Sequence, residues 1–244
     1  PEAWFFHTPG LKIVAPTTAR DAKGMMKEAI RDPNPVLFLE YKKFYNFPLE
    51  DLPEALRPEL PEEDYTVPFG DAALRREGED ISLVTFGTAV LEALEAAEIL
   101  EQEGISVEVL DLRSLVPFDK DAILATVRKT GKLLILHEAR KRGGIGAEFA
   151  TIVAEEAFEH LDAPIRRVAA LDTPMPSIRT PFKRDGEVDF DGVRSQVDFA
   201  IDGGARTLML TGGDSFHMLL TDREVAELAR VVIEHNSGRA KVIA

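Results

Sequence analysis

Short continuous apolar runs alternate along this chain with longer stretches in which apolar residues recur three and four positions apart. Leu11–Ala15 predicts a strand. Thr18 predicts an N-cap with Asp21 three positions on, and Met25, Met26, Ala29 and Ile30 form the apolar stripe of the helix it opens. Asp32-Pro33-Asn34-Pro35 stops that helix, and Val36–Leu39 reads as a buried strand. Five prolines then fall among acidic residues between Pro48 and Pro68, the composition of a linker. Ala72–Arg76 and Ile81–Phe86 flank Gly78-Glu79-Asp80 and predict a hairpin. Thr88 predicts the cap of a helix with Leu91, Leu94, Ala97 and Leu100 on its apolar face, Glu92, Glu95 and Glu98 on its solvated face and Gly104 beyond its end. Strands at Val107–Leu112, Leu133–His137 and Ile165–Leu171 alternate with helices at Asp119–Lys129 and Ala147–His160. Beyond Pro176 the alternation continues with strands at Ser177–Thr180, Thr207–Thr211 and Lys241–Ala244 and helices at Asp191–Ile201 and Asp222–His235. Strands separated by amphipathic helices predict an α/β fold with a largely parallel sheet.

Composition narrows the classes. The chain has 244 residues, 45% hydrophobic and 30% charged, an ordinary globular balance. A net charge of −14 disfavours nucleic acid and anionic lipid as partners. The absence of cysteine removes disulfides and thiol chemistry and fits a reducing cytoplasm. No apolar run approaches the roughly 18 residues of a membrane span. Pro1–His7 lacks the layout of a signal peptide, and a start without Met fits a processed or excised piece.

Chemical motifs are sparse. Gly143-Gly144-Ile145-Gly146 sits where a phosphate-cradling loop would, after a strand and before a helix. A dinucleotide fingerprint needs another glycine at Phe149, so tight turning and close packing is the favoured reading. His137-Glu138 opens like a zinc-protease signature but lacks the second histidine, and His7, His160, His217 and His235 are scattered without ligand spacing. Residue patterns alone predict a fold without a defined catalytic centre.

Longer stretches carry a resemblance. PEAWFFHTPGLKIVAP (1–16), DAKGMMKEAIRDPNPVLFLE (21–40), EDYTVPFGDAALRREGED (63–80), VEVLDLRSLVPFD (107–119), KTGKLLILHEA (129–139), GGIGAE (143–148) and LDAPIRRVAALDTPMP (161–176) follow one another as in a known family. They resemble the beta subunit of the thiamine-diphosphate-dependent decarboxylating component of pyruvate and branched-chain 2-oxo acid dehydrogenase complexes. The resemblance implies a transketolase C-terminal-like three-layer sheet at 65–176, the C-terminal part of a pyrimidine-binding domain at 1–48 and a linker at 49–64. It also implies an alpha subunit as partner, thiamine diphosphate and magnesium held with that subunit, and a lipoyl acyltransferase core. The family's catalytic glutamate and histidine correspond to positions upstream of Pro1, which implies no decarboxylation by the isolated chain. His7 is expected to be a structural or rim residue. A potassium site carries over to Ala29, Asp32 and Asn34, where a helix end and a proline-bounded turn offer carbonyl oxygens to a hard cation.

Residues 177–244 depart from that pattern. Thr180-Pro181-Phe182, the Asp191-Gly192 helix running to Gly203-Gly204, and Leu220-Thr221 with Glu224 resemble the opening of the dihydrodipicolinate synthase/N-acetylneuraminate lyase family, a (β/α)₈ barrel. Gly212-Gly213-Asp214-Ser215-Phe216 replaces that family's substrate-binding loop, and neither Lys183 nor Lys241 falls at its Schiff-base position. The chain therefore reads as a chimera joined near Pro176–Ser177, ending in a partial barrel. Two alternatives to the dehydrogenase reading stand beside it: a non-catalytic chimera or interaction module, and a Schiff-base aldolase or lyase fragment. An open edge at the last strand predicts self-association, or docking of this piece on the preceding sheet.

Overall fold

The computed structural model describes residues 2–45, 47–170, 177–210 and 220–243. The chain divides into two compact units, Pro1–Ala170 and Leu171–Ala244.

In the first unit, β3 (Ala73–Arg76), β4 (Ile81–Thr85), β5 (Val107–Asp111), β7 (Leu133–Arg140) and β8 (Arg166–Ala170) form one sheet in the order β3-β5-β4-β7-β8. All pairings are parallel except that of β3 with β5. Side chains alternate between two cores, as the pleat requires. Leu83, Val107 and Val109 meet α2 (Ala89–Gln102) through Leu91, Leu94 and Ala97. Val84, Leu110 and Ile135 meet α3 (Lys120–Thr130) and α4 (Gly146–Glu156) through Ile123, Val127, Phe149 and Val153. The result is the expected three-layer arrangement. Asp119 caps α3 by accepting from the Ala122 amide, and Gly131 ends it in the left-handed region.

Two expectations of local structure fail here. β3 and β4 are not a hairpin, because β5 lies between them. β4 is buried along most of its length and takes parallel partners on both edges, whereas the arginine-bearing β3 suits a sheet edge. The connection runs past the start of β5, where the Asp80 carboxylate accepts from the Ser106 amide at 2.8 Å. Thr88 precedes α2 without a capping bond and donates its hydroxyl to Glu138 instead.

A second sheet has the order β2-β1-β6, from β1 (Lys12–Val14), β2 (Val36–Phe38) and β6 (Ser114–Val116). β2 runs parallel to β1 and β6 antiparallel. As an outer strand β2 is only half-buried, not the fully buried strand its apolar run suggested. The three-residue β6 lies between longer elements and gave no sequence signal. Through it, the sheet draws on chain from both sides of residues 49–64, which contain only short 3-10 turns. α1 (Ala19–Arg31) has the Thr18 cap anticipated, but it buries Asp21, Gly24 and Met25. Met26 and Ile30 stand out at 38% and 77% exposure. The helix turns its Asp21 face inward because that carboxylate has buried arginine partners.

The second unit contains α5 (Phe190–Asp202), β9 (Thr207–Met209), α6 (Asp222–Asn236) and β10 (Lys241–Ile243). β9 and β10 pair in parallel, and Ser177 contributes a single parallel bridge to Met209 where a full strand was expected. Val193, Val197, Leu208, Leu228 and Val232 form its core. Thr221 and Glu224 make a complete capping box on α6. The Gly212–Phe216 loop, His217 and the Pro176 side of the join lie outside the described residues.

Candidate functional site

In open α/β sheets, ligands gather outside the carboxyl ends of the strands, where successive connections diverge. β4 is such a point here, since the chain passes from it to β5 on one edge and returns to β7 on the other. The carboxyl ends of β5, β4 and β7 set Asp111, then Gly87 and Thr88, then His137 and Glu138 side by side.

The Tyr41 phenol rests on Gly87, whose φ is +63° and where any Cβ would collide with the ring. Burial, then the carboxylates of Glu2, Glu138 and Asp111, keep the Tyr41 hydroxyl protonated far above its ordinary range. His137 is 2% exposed and stacks on Phe86 with ring centres 6.3 Å apart. Its Nδ1–H donates to the Ala139 carbonyl at 3.1 Å, while Nε2 is buried without a partner. Burial holds this imidazole below its ordinary pKa, hence neutral. A Cβ on Gly146 would come within 2.8 Å of the ring, so the glycine loop closes over His137. The loop packs closely against the imidazole.

Beside this row lies a cavity of about 270 Å³, lined by Thr17, Phe38, Tyr41, Phe44, Phe47 and Leu56 among others. Glu40 is the charged residue of its wall, and its carboxylate accepts from the Tyr45 hydroxyl at 2.5 Å.

A charged network joins the two sheets. Arg75 donates to Asp21 and to Asp111, the latter at 2.8 Å from Nη2, and Arg113 donates to Asp21 at 2.8 Å. Arg113 has φ +54°, a conformation rare for arginine, and also donates to the Asp71 carbonyl at 2.9 Å. Despite the burial that opposes ionisation, Arg75, Thr18 and Arg113 hold the Asp21 carboxyl below its ordinary range. Burial pushes the fully enclosed Asp111 up. None of these four residues stood out as functional in the sequence. The signal available was a charged Asp-Leu-Arg at the end of an otherwise apolar strand.

Ala29, Asp32 and Asn34 sit together at the end of α1. The Asp32 carboxylate is engaged by the Lys12 ammonium and, at 2.9 Å each, by the Asn34 amide and side chain. These bonds hold it at about 2. In the second unit Lys183 and Lys241 are both exposed, and His235 pairs with Asp198 at 2.9 Å. Among the described residues no group of three His, Asp or Glu could hold a metal ion.

Comparison with known proteins gives matches to three domain families. Residues 1–48 match the transketolase pyrimidine binding domain, 70–186 the transketolase C-terminal domain, and 171–244 the dihydrodipicolinate synthetase family. A solved structure titled split gene transketolase, inactive beta4 tetramer, superposes with a TM-score of 0.57 at 27% identity, over 70% of this chain and 51% of that one. The relatives are more particular. The chain is 44% identical over 82% of its length to 2-oxoisovalerate dehydrogenase subunit beta 2, mitochondrial, of Arabidopsis thaliana, covering 54% of that protein. It is 47% identical to 2-oxoisovalerate dehydrogenase subunit beta of Bacillus subtilis, over 71% of this chain and 50% of that protein. It is 46% identical to pyruvate dehydrogenase E1 component subunit beta of the same organism, over 69% and 49%. The chain resembles the beta subunit of a 2-oxo acid dehydrogenase and spans about half the length of these relatives.

Proposed function

We propose that the chain is a beta-type component of a thiamine-diphosphate-dependent 2-oxo acid dehydrogenase, which works by binding an alpha subunit and does not turn over substrate alone. The observation that carries this is the arginine–carboxylate network fixing α1 to the carboxyl ends of the five-stranded sheet, which ties the two transketolase-like parts together within one compact unit. The dehydrogenase complexes imply decarboxylation of pyruvate or a branched-chain 2-oxo acid and acyl transfer to lipoyl groups on an acyltransferase core. The described residues do not fit thiamine diphosphate and magnesium by themselves: no metal-ligating cluster is present among them, and Glu40 is tied to Tyr45. On this reading the alpha subunit contributes that site, and no chemical step is assigned to this chain.

Potassium belongs to the same proposal, held by main-chain carbonyls of Ala29, Asp32 and Asn34. We also assign the chain to a reducing cytoplasm, in keeping with its lack of cysteine. The segment from 177 is proposed as a piece of a (β/α) barrel joined to the dehydrogenase part, acting in association and not as a lyase. The test is turnover of pyruvate and 2-oxoisovalerate with thiamine diphosphate and magnesium. The purified chain alone should give none, and steady turnover by it would overturn the proposal.

A further inference from the structure

A second cavity of about 270 Å³ opens beside the first turn of α1. Its wall brings together Arg20, Asp21, Arg75 and Arg113 with residues 66–68. The Arg75 and Arg113 side chains are only 9% and 14% exposed, and Asp21 is the one carboxylate of the wall. Asp111 stands behind Arg75. Three guanidinium groups facing two carboxylates leave one positive charge in excess, in a chain whose net charge is −14.

Arg20 differs from the other two. Its guanidinium has no hydrogen-bond or ion-pair partner among the described residues, although its main-chain carbonyl accepts from the Tyr65 hydroxyl at 3.0 Å. Arg75 and Arg113 are spent largely on holding the fold. A planar fork of donors with no internal partner, at the mouth of an arginine-lined cavity, is the arrangement that grips phosphate oxygens in pairs.

We propose that this cavity binds a small oxyanion of the phosphate class, with Arg20 as the gripping residue and Arg75 and Arg113 supplying the field behind it. The fixed pairs with Asp21 and Asp111 keep the two rear arginines in place whether or not an anion is present. Arg20 is left free to close on one.

Inorganic phosphate is the probe, titrated into the full chain by calorimetry at constant ionic strength against chloride, with malonate as a parallel arm. Phosphate should bind saturably. Arg20→Ala should weaken binding about tenfold, the scale of one charge-assisted hydrogen bond, and Arg20→Glu should abolish it. Neither substitution removes a bond from the fold, so unchanged circular dichroism and melting are expected for both. Absence of phosphate binding by the wild type, or equal binding by Arg20→Glu, would overturn the site. Malonate binding as tight as phosphate would overturn the assignment to the phosphate class.

Discussion

Asp21 and Arg113 are 92 residues apart in the chain and 2.8 Å apart in the fold. One opens α1 and the other follows β5, so the bond spans the two sheets of the first unit. Arg113→Ala leaves Asp21 paired with Arg75, and Asp21→Asn leaves Arg75 paired with Asp111, so each removes charge-assisted hydrogen bonds without stranding a buried charge. Arg113→Ala and Asp21→Asn should each lower stability by about 1.5–3 kcal/mol in urea titrations, the scale of hydrogen bonds to charged groups. The Asp21 carboxyl is depressed in the fold, so its contribution is complete above the unfolded value of 3.8 and fades as pH falls through the lower folded one. Asp111 is shifted up, so its ionisation cost grows as pH rises and acts in the opposite sense. Asp21→Asn should therefore lose less stability than the wild type between pH 5 and pH 2. Equal slopes would show that Asp21 is not ionised in this network.

His137 and Gly146 give a second, independent test. A methyl on Gly146 meets the buried ring, an overpacking that costs about 1–3 kcal/mol. Gly146→Ala should destabilise by that amount, and His137→Ala in the same chain should recover part of it. Additive losses in the double-mutant cycle would separate the loop from the ring. The depressed His137 pKa predicts an imidazole that titrates below 6.5 by NMR. Its stabilising contribution is full above that value and declines as the pH drops through the folded pKa.

Strand and helix periods made most of the first unit readable from sequence. The buried face of α2 and the extent of α3 could be placed without coordinates. What stayed hidden depended on pairing across distance. Nothing local in Ser114–Val116 says that it will join β1, and Gly78-Glu79-Asp80 looks like a turn until β5 is known to lie between its flanking strands. The candidate row and the charged network beside it were hidden for the same reason. Asp21 reads as a helix-start residue and Thr88 as a cap, and their partners Arg113 and Glu138 arrive only through the sheet order.

Potassium should stabilise the first unit through the end of α1. If the carbonyls of Ala29, Asp32 and Asn34 hold the ion, melting in potassium chloride should exceed melting in sodium chloride of equal ionic strength, and the gap should grow with concentration. Asn34→Pro, which perturbs the turn, should remove the difference. Identical melting in the two salts would refute the site.

In the second unit, β10 pairs with β9 along one edge, and Ile243 is 37% exposed. An open strand edge with an apolar residue invites pairing with another chain. Sedimentation velocity should show concentration-dependent association of the wild type, reduced by Ile243→Lys without loss of helical signal. Concentration-independent monomer for both would argue against this edge as an interface.

The central claim is that this chain is a beta-type partner, and co-expression with the alpha subunit of a pyruvate or 2-oxoisovalerate dehydrogenase tests it most directly. Size-exclusion chromatography with light scattering should show the two co-eluting in a stoichiometric complex, which Arg113→Ala weakens by loosening the joint between the sheets. Separate elution of a folded chain and the alpha subunits, across both dehydrogenase types, would contradict the account.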